Sequence, residues 1–330
     1  MPEEGTRPAH APSWVATLFL AGAVLLWGMS FVATKTALNG GFSPMTVVWL
    51  RMVVAVAVLS PFWSHLPKPD YRRGDIGWLV LVCLLQPGVY YLCENYAIGL
   101  TTSSQAGVIS AIVPLLVAAG AWLFLREHIS GRTIGGIGLS VAGVVALSLG
   151  ASAATSAPNP IVGNTLEVIA MISAAGSMIA IKHLVRRYDP WVLTGIQSAA
   201  GAVFFLPGAL ASNPATWLSV RSDAWIAIAY LGGFVSLAAF GLYAMALKRL
   251  PASQASIAIN AVPLVALASG WVALHESLSL LQGVGCLAIA AGVALGQSGA
   301  AEQPGAEEGI AEAESAATAA FQVDGASDEN

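Results

Sequence analysis

The sequence predicts an all-α polytopic membrane protein with ten transmembrane helices, built as two five-helix repeats of inverted topology. Three observations carry this reading: the composition, the length of the apolar runs, and an internal repeat with an odd number of spans. Of 330 residues, 56% are hydrophobic and 10% charged, whereas soluble domains carry roughly a quarter charged residues. Mean hydropathy is +0.73. Apolar runs fall at 14–37, 44–63, 76–100, 104–125, 131–149, 162–184, 190–210, 224–247, 253–274 and 279–298. Each is near the roughly 20 residues a helix needs to cross about 30 Å of hydrocarbon. The runs are continuous rather than alternating, which excludes barrel strands.

Along the chain, residues 1–13 form a polar lead, and the long run that follows, with nine more behind it, argues against a cleaved signal peptide. The first repeat is expected at 14–150, an outer linker at 151–161 and the second repeat at 162–298. Residues 299–330 hold eight acids and no Lys or Arg; rich in Ala, Gly and Glu, they read as a solvated, disordered tail. Without that tail the chain has fourteen basic and ten acidic residues. Cys83 and Cys93 fall in the third span and Cys286 in the tenth, so no disulfide framework is suggested. With the N-terminus in the cytoplasm, eleven Lys and Arg lie inside, and Arg221 and the edge residue Lys35 lie outside. This positive-inside bias predicts both termini in the cytoplasm.

At an offset of 149, residues 104–150 recur as 253–299 with sixteen identities in 47 positions. Ser104/Ser253, Gln105/Gln254, Pro114/Pro263, Trp122/Trp271, Glu127/Glu276, Ser130/Ser279 and Gly143/Gly292 are among them. Upstream, Tyr96/Tyr243, Trp78/Trp225 and Lys35/Lys182 pair at 147, and Pro44/Pro190 and Pro61/Pro207 at 146. An odd number of spans per copy forces the second copy into the membrane upside down. Such inverted repeats underlie alternating access in many secondary transporters.

The stretch WGMSFVATKTALNGGFSP at 27–44, VVWLRMVVA at 47–55 and the run beginning NYAIGLTTSSQAGV at 95 resemble the repeat of the drug/metabolite transporter superfamily, specifically its EamA-type permeases. The resemblance spans about residues 14–298, and Tyr243, Pro263 and His275-Glu276 repeat the landmarks in the second copy. It implies a ten-helix carrier of small organic metabolites, most often an exporter from a bacterial cytoplasm.

Ionisable side chains inside a bilayer cost about 2.5–3.5 kcal/mol each on insertion scales and are functional candidates by default. Lys35, Arg51, Glu94 and Glu167 lie within spans, away from cytoplasmic ends. At about 1.5 Å per residue, Arg51, Glu94 and Glu167 fall roughly 7–11 Å below the outer surface. Lys35 is shallower, and the bland reading gives it a carbonyl or phosphate partner at the membrane edge. Arg51 matches the family's common Arg in the second helix, and a structural or gating pair is favoured over substrate contact. Glu94 follows Pro87-Gly88, a kink candidate, and is flanked by Tyr90, Tyr91 and Asn95; a buried carboxylate there could exchange a proton. Pro114 and Pro263 are expected to interrupt the fourth and ninth helices and free carbonyls toward a polar cavity. Trp27, Tyr90, Tyr91, Glu94, Asn95, Gln105, Gln254 and Asn260 are then candidate substrate contacts, and Arg51, Glu94, Glu167, Pro114 and Pro263 candidate coupling or gating residues.

Glu127 and Glu276 end their spans three residues before Ser130 and Ser279, where the next helix begins. A serine there accepts from free amides, and a carboxylate favours the positive end of the dipole. A helix-start role is expected for them rather than proton carriage. The Gly-rich fifth and tenth spans suit close helix packing. The sequence has no Walker pattern, which excludes ATP-driven pumping by this chain. The Asp outside the tail and all five His fall in loops or at span ends, which disfavours an intramembrane enzyme. The expected activity is secondary transport of amino acids or related metabolites, most often export, and the buried carboxylates admit proton coupling. Nutrient or precursor uptake is the alternative; a channel is a distant one. The expected partners are a small-molecule substrate and the lipid bilayer of a bacterial inner membrane. No cofactor, metal or nucleic acid is expected, and a monomer and a homodimer are both compatible.

Overall fold

In the computed structural model, residues 13–125, 130–151, 157–184, 187–212, 214–247 and 260–301 are described. Among them, seven helices are long and apolar enough to cross a membrane. Three shorter apolar helices, Ser103–Val117, Val262–Leu274 and Leu280–Gly296, complete the ten spans. Glu127, Ser253, Gln254, Ser256 and the 299–330 tail beyond Ala301 lie outside the described residues.

Local sequence sets the helix starts. Ser43 accepts from the Thr46 amide at 3.2 Å, with Pro44 at the first helical position of α2 (Pro44–Leu59). Asp189 accepts from the Trp191 amide at 2.9 Å to open α9 (Pro190–Ala211). Ser130 accepts from the Thr133 amide at 3.1 Å and starts α7 (Gly131–Leu149). Ser279 caps the last helix, α13 (Leu280–Ala301), by a reciprocal pair: it accepts from the Gln282 amide at 3.3 Å while Gln282 Oε1 accepts from its own amide at 2.8 Å.

The third and eighth spans are not plain α-helices. In the third, α3 (Asp75–Cys83) and α4 (Tyr90–Leu100) are joined by π-type turns at Leu84–Val89, where Gln86 leaves the helical region at φ −143°, ψ 113°. In the eighth, α10 (Ser222–Ala229) and α11 (Phe240–Leu247) flank π-type turns at Tyr230–Ala239. The 147-residue offset that pairs Trp78 with Trp225 brings these two irregular segments into register. Such turns recur at functional sites. The broken ladder of the third span is repaired by side chains: Gln197 Nε2 donates to the Gln86 carbonyl at 2.7 Å and Ser173 Oγ to the Leu85 carbonyl at 2.9 Å. In lipid such repair is obligatory.

Pro114 and Pro263 differ in their setting. The fourth span is α5 (Ser103–Ile109), a tight turn at Ser110–Ile112, and α6 (Val113–Leu125), with Pro114 second in α6. Pro263 is likewise second in α12 (Val262–Leu274). The backbone stays helical from α5 through the tight turn into α6, so Pro114, which has no amide proton, removes one bond inside the span, whereas Pro263 stands where a helix start has free amides in any case.

Span contacts come in sets related by the repeat. The second span packs on the seventh, the fourth on the ninth, the fifth on the tenth, and the third-on-sixth contact is mirrored by α1 (Ser13–Asn39) on α10 and α11. The fifth-to-tenth contact is backbone on backbone. A Cβ on Gly143 would stand 2.8 Å from Gly285 O and 2.8 Å from Ile289 N, and one on Gly136 2.5 Å from Gly292 O. Outward-facing Val203, Ile226 and Leu287, each at least 70% exposed, present an apolar perimeter to lipid.

Gly143→Ala is expected to lower stability by about 1–3 kcal/mol through backbone displacement. Gly138, on the same helix, has nothing within 4 Å of its Cβ position; Gly138→Ala should be neutral or stabilising by up to about 1 kcal/mol. Thermal unfolding of the purified variants in detergent measures both.

Candidate functional site

Arg51 is the centre of the site. It lies on α2 and is 2% exposed. Its Nε donates to Ser236 Oγ at 3.2 Å, one terminal nitrogen donates to the Tyr91 hydroxyl at 3.4 Å, and the other stands 3.9 Å from Glu94 Oε2. The guanidinium carbon is 4.2 Å from the Tyr91 ring centroid, a cation–π contact that strengthens when desolvated. Three spans therefore converge on one cation: the second brings Arg51, the third Tyr91 and Glu94, and the eighth Ser236 from its irregular segment.

Glu94 is held from its other side by Tyr90, whose hydroxyl donates to Oε1. Tyr90 and Tyr91, adjacent on α4, lie with ring centroids 4.8 Å apart at 59°. Asn95 donates to the Tyr91 carbonyl at 2.9 Å, leaving its Oδ1 buried without a partner.

Glu167, on α8 (Pro160–Leu184), is fully buried, and neither carboxylate oxygen has a hydrogen-bond partner. It is close enough to Glu94 and Tyr90 for its charge to act on both. The site thus holds two carboxylates and one guanidinium, and the cation stands against Glu94 only. An unpaired buried anion costs several kcal/mol, so Glu167 is stable only when a proton or another cation neutralises it.

Beside Arg51 lies a cavity of about 30 Å³ lined by Met52, Gln86, Pro87, Tyr91, Thr194, Gln197, Ser198, Ser236 and Phe240, room for about two waters. Its lining is aromatic on one side and amide or hydroxyl on the other, and the broken turn at Gln86 forms part of its wall. A larger groove of about 440 Å³ between α6, α7 and α8 is almost wholly apolar.

The other candidates fall elsewhere. Trp27 packs its ring 5.3 Å from Phe240 and 5.4 Å from Tyr243, between the first and eighth spans. Gln105 lies in a separate network: its Oε1 accepts from Thr101 at 3.1 Å and from Asn164 at 3.0 Å. Asn260 has a buried Oδ1 with no partner. Lys35 donates to the carbonyls of Ile98 and Thr101, both at 2.6 Å, at the C-terminal end of α4, where a cation complements the helix dipole. Glu276 does serve a helix start, but not that of the tenth span. Its oxygens accept from the amides of Ser103 and Ser104 at 2.9 and 2.8 Å and from their hydroxyls at 3.0 and 2.6 Å, capping α5 of the other repeat. Sequence reasoning missed Ser236, Gln86 and Gln197. Gln197 could have been found as the one amide in the seventh span, PWVLTGIQSAAGAVFFLPGALA; Ser236 gave no signal beyond a lone aliphatic hydroxyl in YLGGFVSLAA. Among the described residues no group of three or more His, Cys, Asp or Glu could hold a metal ion.

Known proteins share this architecture. A transporter of Bacillus subtilis (strain 168) named uncharacterized transporter YetK is 27% identical over 84% of this chain and 85% of its own length. An uncharacterized transporter of Archaeoglobus fulgidus is 27% identical over 84% of this chain and 96% of its own. A crystal structure with 22% identity superposes with a TM-score of 0.52 over 85% of this chain and 95% of that one, which supports the fold. The model of the EamA-like transporter family matches twice, at residues 14–149 and 161–296. With both five-helix copies matched, the chain belongs to the EamA-like transporter family, and it is a membrane transporter rather than an enzyme.

Proposed function

We propose that this transporter is a secondary carrier that exports amino acids or related small metabolites by alternating access, with a proton exchanged at the Glu94–Glu167 pair as the coupling step. The observation that carries the reading is the fully buried Glu167, whose two oxygens lack partners beside an already neutralised Arg51–Glu94 pair. A proton is the smallest cation that supplies the missing charge, and Glu167 lines neither cavity described above. When Arg51 is drawn toward a substrate carboxylate, Glu94 loses its cation and becomes the second proton site. The cation also suits a metabolite that bears a carboxylate, with Arg51 as its partner. The aromatic, amide and hydroxyl lining of the small cavity is of the mixed kind that small polar metabolites use, and at about 30 Å³ it must widen during the cycle to admit one. We read both termini as cytoplasmic from the Lys and Arg distribution, and the membrane as a bacterial inner membrane from the bacterial relative.

Flux in proteoliposomes tests the coupling. Glu167→Gln is expected to reduce transport driven by a pH gradient by about tenfold or more, equivalent to at least about 1.4 kcal/mol, while substrate exchange across the membrane persists. Undiminished pH-driven flux in that variant would overturn the coupling step. A wild-type protein that moves no amino acid or related metabolite saturably would overturn the substrate class.

Arg51→Gln strands Glu94 as a buried anion without its cation, and a loss of about 3–5 kcal/mol in stability is expected. Arg51→Lys keeps the charge but loses the planar contact with Tyr91, so it should fall between wild type and Arg51→Gln. Unfolding midpoints in detergent rank the three.

A further inference from the structure

The outer ends of the two repeats meet where Glu276 caps α5. Its carboxylate takes two backbone amides and two hydroxyls from Ser103 and Ser104. These are the free amides that open a helix, and a charged acceptor at that end gives bonds roughly twice as strong as neutral ones. The opposing helix end is also held. Lys35 binds the Ile98 and Thr101 carbonyls where α4 ends, separated from α5 only by Thr101 and Thr102. Lys35 and Glu276 are close enough to attract one another.

The chain is bent to put Glu276 there. His275 stands in the left-handed region at φ 53°, uncommon for a side-chain-bearing residue, and the Glu276 amide turns back to Gly270 O at 3.2 Å. Such conformations persist where the surroundings over-determine them and concentrate at switch regions. Gly270 has no room for a side chain: a Cβ would lie 2.3 Å from Ser104 Oγ and 2.6 Å from Glu276 Oε2. One turn deeper, a Cβ on Gly107 would stand 2.1 Å from that of Ala266. The ninth span is therefore pressed against the fourth through the outer half of the membrane.

We infer that Glu276 is a positioning residue of the transport cycle, a latch that holds the fourth and ninth spans together on the outer side and must let go of Ser103 and Ser104 before that side opens. The bonds cross from one repeat to the other, so releasing them frees one repeat to tilt against its partner without melting a helix. The left-handed turn at His275 gives the released segment a more relaxed backbone to move to, which favours release once the carboxylate is displaced. The inference rests on the alternating-access reading, but its test needs neither substrate nor gradient.

Ala106 is fully buried in the seam between these spans, in contact with the Val262–Ala266 cluster. An Ala106→Cys reporter, with Cys83, Cys93 and Cys286 replaced by Ala, is treated with a membrane-impermeant maleimide from outside. It should label slowly. Adding Glu276→Ala, or Gly270→Ala, is expected to raise the labelling rate about tenfold or more, the factor that about 1.4 kcal/mol produces, with the cooperative thermal transition retained. His275→Gly, which relieves the turn and keeps the carboxylate, should label as slowly as the parent. Glu276→Gln, which keeps one acceptor oxygen, should be intermediate and serves if Glu276→Ala does not fold. Unchanged rates in the folded variants would overturn the latch. So would a rise accompanied in every variant by loss of the thermal transition, because Glu276 would then hold the fold rather than one state of it.

Discussion

A guanidinium held inside a bilayer must be surrounded by acceptors, and Arg51 finds them on the third and eighth helices as well as facing a carboxylate. That requirement shapes the surroundings. Tyr91 supplies both a ring face and a hydroxyl, Tyr90 occupies the other oxygen of Glu94, and Ser236 is brought within reach by the wide turns of the eighth span. Each of these groups would be expensive in lipid by itself. Together they account for all but one charge, and Glu167 is the remainder.

The repeat explains why the irregular segments come in a pair. A straight helix cannot offer side chains and carbonyls to the same point, but a segment of π-type turns can, and both copies carry one at the corresponding place. Their contents differ. The first copy uses Gln86 and Pro87 and lends its carbonyls to Gln197 and Ser173, whereas the second uses Gly232 and Ser236. The scaffold is close to symmetric and the chemistry is not, since the acid pair and the cation have no counterparts at the matching positions of the other copy. Arg51 corresponds to Gln197 and Glu94 to Gly241.

Fold class and span positions were legible because they rest on run length and apolarity, which neighbouring segments do not alter. The common depth of Arg51, Glu94 and Glu167 was legible too, since depth follows from residue count along a helix. Which of them touch was not, because rotation about a helix axis is fixed by packing partners distant in sequence. Gln105 shows this: from the sequence it is a candidate substrate contact, yet its amide turns toward Thr101 and Asn164. Glu276 shows the same limit in another form. Its neighbour in sequence is Ser279, but a three-residue separation already satisfied by Gln282 leaves the carboxylate to seek amides in the other repeat.

The glycine contact between the fifth and tenth helices bears on how such a bundle can change shape. Backbones that touch, as at Gly143 with Gly285 and Gly136 with Gly292, have no side-chain layer that could repack as one surface slides over the other, and close-packed interiors deform poorly. Wherever the substrate path opens, these two helices are its least compliant part. They form a common keel, and the remaining eight spans are what the membrane protein has left to move.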